Sequence, residues 1–168
     1  MEYKVIDNFL SPSDFKELKN FTIYRGDLPW YPRIGVSEEG KSDGYFLMHP
    51  FYNNFKPSSE HFNILFPILE KLDPLAIIRI KANFYPTTKQ IIHHNFHVDF
   101  LDMDDSPISC KGCLFYLNTN NGKTIFENGT KIESIENRAL LFDPSIYHQS
   151  TTCTDDAIGR FNINFNYF

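Results

Sequence analysis

Arg79-Ile80-Lys81-Ala82-Asn83-Phe84-Tyr85 and Arg160-Phe161-Asn162-Ile163-Asn164-Phe165-Asn166-Tyr167 are the two stretches on which the fold turns. In each, polar and apolar side chains alternate, which puts one set on each face of a β-strand. Two packings satisfy this alternation. In the first, the polar face is wet and the apolar face is core. In the second, the apolar faces carry packed helices and the polar faces line a barrel interior that binds something. Periodicity alone does not choose between them.

Around these stretches, everything from Leu75 onward reads as short runs separated by turn residues such as Asn118 to Gly122 and Asn128-Gly129. The pattern predicts strands near residues 77–85, 92–98, 111–117, 124–126, 130–133, 139–142, 146–151 and 158–167, the signature of a double-sheet jelly roll. Ahead of them, Ser11-Pro12-Ser13-Asp14 reads as a helix start, and Phe15, Leu18 and Phe21 give that helix one apolar stripe. A second helix is expected to begin at Ser58 or Ser59, with Phe62, Leu65, Phe66, Leu69 and Leu72 inward. Pro67 predicts a kink or a late start in it, and Asp73-Pro74 closes it. Residues 24–57 are dense in Gly, Pro, Asn and aromatics without a period, and read as a long irregular, lid-like segment in which Trp30 and Tyr31 either roof a site or anchor the loop. The expected fold is therefore mainly β with N-terminal helices: a double-stranded β-helix (jelly roll) with the helices packed on one sheet. It forms a single domain over residues 1–168, with a helical and lid region at 1–75 and a jelly-roll core at 76–168.

Composition narrows the classes of function. At 168 residues with 42% hydrophobic content the chain supports one core, and a net charge of −5 leaves no basic footprint for a nucleic-acid backbone. No apolar run reaches the length of a membrane span, and the opening MEYKVIDNFL lacks the pattern of a secretion signal, so a cytoplasmic location is expected. Three cysteines do not make a disulfide framework. Cys110 and Cys113 fall on opposite faces of a strand, which counts against a thiol pair for zinc or redox use.

His97-Val98-Asp99 places an imidazole and a carboxylate on one face of a strand, and His148 is the later histidine that completes a set. Two imidazoles and one carboxylate on one face of an octahedron leave the remaining positions open, the arrangement suited to non-haem iron(II) and oxygen. Arg160 lies on the polar face described above and offers a planar, permanently charged fork for a carboxylate. His93 and His94 flank the same segment and read as packing or surface residues.

With these residues in view the chain resembles the iron(II)- and 2-oxoglutarate-dependent dioxygenases, in their prolyl 4-hydroxylase-like branch. Asn83-Phe84-Tyr85-Pro86 looks like the tyrosine-bearing first barrel strand, His97-Val98-Asp99 like the metal pair, and Phe115-Tyr116-Leu117-Asn118 like the strand and turn that follow. Asn121-Gly122-Lys123-Thr124 looks like a double-glycine turn with its first glycine replaced, and Ala139-Leu140-Leu141-Phe142 like the strand leading to the distal histidine, His148. A longer interval before the metal pair, carrying two extra histidines, is a further departure. The resemblance implies iron(II), 2-oxoglutarate as cosubstrate and O2 as cofactors, with His97, Asp99 and His148 as metal ligands. It further implies that Arg160 pairs the distal carboxylate, with Tyr85, Asn83, Tyr116 and Asn162 around the cosubstrate. Its implied reaction hydroxylates a C–H bond of a prolyl residue in a peptide or protein. A hydroxylase or demethylase of a free small molecule or nucleobase is the alternative, although the demethylating branch carries a second arginine where Asn166 stands. A cupin-type metal or sugar binding module is the non-enzymatic alternative.

Overall fold

The computed structural model describes residues 3–35, 44–100 and 108–168. Among them the chain forms β1 (Tyr3–Ile6), α1 (Pro12–Lys19), β2 (Tyr31–Ile34), β3 (Tyr45–Asn53), β4 (Lys56–Pro57), α2 (Phe66–Leu72), β5 (Ile77–Pro86) and β6 (Lys111–Tyr116). It continues with β7 (Asn120–Phe126), β8 (Lys131–Ser134), β9 (Arg138–Phe142), β10 (His148–Ser150) and β11 (Gly159–Tyr167). A major antiparallel sheet runs β1-β9-β6-β11-β5-β3-β2, with β4 paired to β3, and a minor sheet runs β10-β7-β8. This is the expected two-sheet jelly roll.

The two alternating stretches lie side by side at the centre of the major sheet, with Tyr85 opposite Arg160, Asn83 opposite Asn162, Lys81 opposite Asn164 and Arg79 opposite Asn166. Their apolar faces form the main core: Phe161, Ile163, Phe165, Ile80 and Ala82 pack with Leu18, Phe21, Leu65 and Ile68 of the N-terminal helical segments. The second of the two packings is therefore the one adopted. The polar face turns instead toward the minor sheet, and beside it Leu114, Tyr116, Phe126, Ile132, Leu140 and Phe142 form a smaller apolar cluster between the sheets.

Local chemistry explains the helices. Ser11 caps α1 by accepting the Asp14 N–H at 3.2 Å, and the helix continues into a wider π turn over Asn20–Tyr24 that carries Phe21 into the core. Pro67 delays α2: a 3₁₀ turn over Phe62–Leu65 precedes it, the proline sits in its first turn, and Asp73 ends it in the left-handed region at φ 45°.

Two expectations are corrected, and one open alternative is decided. The 24–57 segment is not an irregular lid, because β2, β3 and β4 extend the major sheet there, with β3 pairing β5 from Leu47–Phe84 to Tyr52–Ile80. Residues 36–43 of that segment lie outside the described residues. Trp30 is an anchor: its ring meets Phe84 and Phe161 edge-on at 5.8 Å each. The strand expected at 92–98 is an extended segment tied down only by isolated bridges, His93 to Thr151 and His97 to His148. β1, which the sequence reading did not anticipate, closes the sheet against β9.

Candidate metal centre

The His97–His148 bridge builds the centre from the backbone outward. Each residue's N–H donates to the other's carbonyl, at 2.9 and 3.0 Å, which sets the two rings 4.6 Å apart. Asp99 is fixed nearby by its own N–H to the Pro144 carbonyl at 3.1 Å. One ligand atom from each of His97, Asp99 and His148 lies within 4.8 Å of the others, close enough for one cation to bridge all three.

Neighbouring groups aim these ligands. His148 Nδ1 meets the Ile146 carbonyl at 2.8 Å and His97 Nδ1 meets the Asn95 carbonyl at 3.3 Å. A donor role for each Nδ1 leaves Nε2 as the lone pair for a metal. Asp99 Oδ2 accepts from Asn166 at 2.7 Å and from Asn164 at 3.2 Å, and the Arg79 guanidinium stands 3.5 Å from Oδ1. Burial alone would raise the Asp99 carboxyl, but His148, Arg79, Lys81 and His97 together hold it well below the usual carboxylate range. Burial, reinforced by His148, pushes His97 down to about 4. At neutral pH the set is thus a carboxylate with at least one neutral imidazole, the state that metal binding requires.

Arg160 reaches across from the major sheet to the minor one and is fully buried. Its Nε donates to Ser134 Oγ at 2.8 Å, one Nη to the Thr151 carbonyl at 3.2 Å and the other to Thr124 Oγ1 at 3.0 Å. All three acceptors are neutral, and among the described residues no carboxylate stands within ion-pair distance of it. A buried cation without a counter-charge is costly, and a bound anion offsets that cost. Two residues make room for it. Gly122 leaves the space where a Cβ would stand 2.7 Å from Arg160 Cδ. Asn118 clamps the backbone on either side of Arg160, accepting the Phe161 N–H at 2.9 Å and donating to the Gly159 carbonyl at 2.8 Å.

Between Arg160 and the triad the cavity is lined by Tyr85, Asn83 and Asn162, with Lys81, Thr124 and Phe46 in the wall. Asn83 donates to Asn162 Oδ1 at 2.9 Å, and its own Oδ1 is buried without a partner among the described residues, as is Asn164 Oδ1. Tyr85 is held between Phe46 and His94. Burial and the nearby Arg79 and Arg33 push Lys81 down to about 7, against the pull of Asp99.

Seven of the eight residues singled out from the sequence therefore converge on one cavity: His97, Asp99, His148, Arg160, Tyr85, Asn83 and Asn162. Tyr116 does not line it. Its hydroxyl donates to Thr124 Oγ1 at 2.9 Å, the same hydroxyl that receives Arg160, and its ring centre lies 5.7 Å from the guanidinium. His94 is a wall brace, buried with Nδ1 2.8 Å from Ser150 Oγ, and neither it nor His93 joins the metal group. Cys113 is buried in the helix-side core while Cys110 is half-buried, and burial raises both thiols, Cys110 to about 11. The sequence reading missed Asn164 and Asn166 as supports of Asp99, although their alternation with Phe165 carried the signal. Nothing in the sequence marked Ser134.

The donor set fits a divalent cation with open positions for a chelating ligand, and Arg160 fits a carboxylate at the far end of the same cavity. No protein-family model matches the chain, and no curated protein matches it in sequence. Solved structures do match in fold. The viral collagen prolyl hydroxylase of Paramecium Bursaria Chlorella virus-1, in complex with 2-oxoglutarate, superposes at a TM-score of 0.66 and 16% identity over 99% of this chain and 94% of that one. A prolyl hydroxylase from Trichoplax adhaerens, bound to a hypoxia inducible factor oxygen degradation domain peptide fragment, gives 0.67 and 17% over 98% and 83%. A family 2OG-Fe(II) oxygenase from Burkholderia pseudomallei gives 0.63 and 12% over 92% and 77%. The chain shares the fold of these oxygenases.

Proposed function

We propose that this protein is an iron(II)- and 2-oxoglutarate-dependent dioxygenase that hydroxylates a prolyl residue in a peptide or protein. The observation that carries the reading is Arg160: a fully buried guanidinium, hydrogen-bonded only to neutral acceptors, in one cavity with a His-Asp-His set. A bare metal or sugar binder of the cupin kind has no use for such a cation. The shared fold with prolyl hydroxylases supports the substrate class.

His97, Asp99 and His148 would hold the iron, and Arg160 would pair the distal carboxylate of 2-oxoglutarate, with Asn83 and Asn162 between. Iron held there would supply the oxygen chemistry that couples conversion of 2-oxoglutarate to succinate and carbon dioxide with hydroxylation of the substrate. The protein contributes position and dryness: Asn164 and Asn166 fix Asp99, the Ile146 carbonyl fixes the His148 ring, and Phe46, Leu114 and Phe142 exclude water from the walls. Asn166 stands where the nucleobase-demethylating branch carries a second arginine, and its amide is committed to Asp99, which weighs against that branch.

The test is oxygen-dependent conversion of 2-oxoglutarate to succinate by the iron(II)-loaded protein, alone and with proline-containing peptides. Turnover that rises with peptide and vanishes in Asp99→Ala is the expected result. No succinate under any condition overturns the reading.

A further inference from the structure

The cavity around the triad does not end there. Phe46 and Lys81 also line a second cleft, of about 210 Å³, whose walls include Arg33, Arg79, Met48 and Pro50. Register explains the continuity. Arg33 lies opposite Phe46, Met48 opposite Asn83, and Pro50 opposite Lys81, so the concave face of β5 runs without a break across β3 to the sheet edge at β2. The minor sheet, built on β7, covers the Arg160 end of that face, and the cleft lies at the other.

Among the described residues that line this cleft three are basic and none is a carboxylate, in a chain whose net charge is −5. Asp99 is the carboxylate whose charge acts on Lys81, and it is already engaged by Asn164, Asn166 and Arg79 within the metal set. Arg79 Nε is buried with no partner among the described residues. Lys81 Nζ lies 5.7 Å from the centre of the Phe46 ring, a weak contact for an ammonium. A divalent cation at the triad would add positive charge beside them.

The cosubstrate does not answer this need. Its distal carboxylate belongs at Arg160, because moving it to Lys81 would leave the more deeply buried cation unpaired. Lys81 stands two ranks along β5 from Arg160's partner Tyr85, beside Asn164, whose amide holds Asp99. An anionic group seated there lies next to the reacting centre, at the end of the face away from Arg160.

We propose that Lys81 binds an acidic side chain of the peptide substrate, so that the enzyme selects a proline flanked by Asp or Glu. The inference rests on the dioxygenase reading above and specifies its substrate. Selection of this kind is local, since the chain as a whole repels acidic peptides.

Binding, not turnover, tests it. The protein loaded with Mn(II) and 2-oxoglutarate is titrated into fluorescently labelled proline-centred peptides whose neighbouring residues are Glu, Gln or Lys, and anisotropy is read at low and high salt. The Glu peptide should bind roughly tenfold more tightly than its Gln isostere, the Lys peptide most weakly, and the gap should narrow with salt. Lys81→Met should bring the Glu-to-Gln ratio to about one and Lys81→Arg should preserve it, with every variant compared at saturating 2-oxoglutarate. Equal binding of Glu and Gln peptides by the wild type, a preference that survives Lys81→Met, or binding of none of the peptides overturns the inference. So does a Met variant that loses 2-oxoglutarate as severely as Arg160→Ala. Succinate formation without peptide tells whether the dioxygenase reading falls with it. Should Lys81→Met fail to fold, Lys81→Gln and Lys81→Arg carry the same comparison.

Discussion

Replacing Gly122 by alanine adds one methyl group at the place where Arg160 crosses between the sheets. The backbone of Gly122 has no need of glycine's conformational freedom, so the whole effect is spatial. The new Cβ would stand 2.7 Å from Arg160 Cδ, 2.9 Å from Asn120 Oδ1 and 2.9 Å from the Thr152 carbonyl. Ordinary carbon–carbon contact is about 3.5–4.0 Å, so Arg160 must retreat by roughly 1 Å, and the carbonyl, being backbone, yields little. Its hydrogen bonds of 2.8, 3.0 and 3.2 Å cannot all survive that displacement. Overpacking of this kind costs about 1–3 kcal/mol of stability, and a misplacement near 1 Å costs on the order of a hundredfold in a positioned interaction. Thermal unfolding and 2-oxoglutarate titration of the metal-loaded variant measure the two effects separately. A Gly122→Ala protein that binds 2-oxoglutarate within about twofold of wild type would refute the assignment of Arg160 as its anchor.

Asn118→Leu removes the clamp around Arg160 and leaves buried backbone groups unpaired, so it should lower stability by roughly 2–4 kcal/mol and weaken 2-oxoglutarate binding together, seen in chemical denaturation and ligand titration. Trp30→Leu should lower stability by about 1–2 kcal/mol through its lost edge contacts with Phe84 and Phe161 while leaving 2-oxoglutarate affinity unchanged; a selective loss of affinity would restore the roof reading. His97 is protonated near pH 6.5 in the unfolded chain but only near pH 4 in the fold. The unfolded state therefore binds more protons across that window, and the metal-free protein should lose stability as pH falls through it. His97→Gln should flatten that part of the pH dependence of thermal unfolding.

The parts of the molecule legible in the sequence are those where one physical signal dominates. β5 and β11 alternate without interruption because one face meets helices and the other a cavity, and α1 announces itself through Ser11 and Pro12. β3 was illegible for the opposite reason. It carries Pro50, and its pairing with β5 slips between Pro50 and Tyr52, so Phe46, His49 and Phe51 are all buried without falling on one alternating face. The metal set was legible as residue types and order, yet the segment holding His97 and Asp99 is not a regular strand, and tertiary contacts with His148, Thr151 and Pro144 align it. Tyr116 illustrates the remaining gap. A tyrosine on the right strand and face donates its hydroxyl to Thr124 Oγ1, and no spacing rule registers that partner.

The central claim is that one cavity holds iron(II) at His97, Asp99 and His148 and 2-oxoglutarate between that iron and Arg160. Anaerobic titration of the iron(II)-loaded protein with 2-oxoglutarate, followed by the charge-transfer absorption that arises when a 2-oxo acid chelates iron(II), tests it most directly. The account predicts a saturable band in the wild type and none in Asp99→Ala. In Arg160→Ala the band should require at least about thirtyfold more 2-oxoglutarate, the lower end of the loss expected for a truncated buried charge pair. A wild type that shows no band, or an Arg160→Ala protein that saturates at the wild-type concentration, would contradict it.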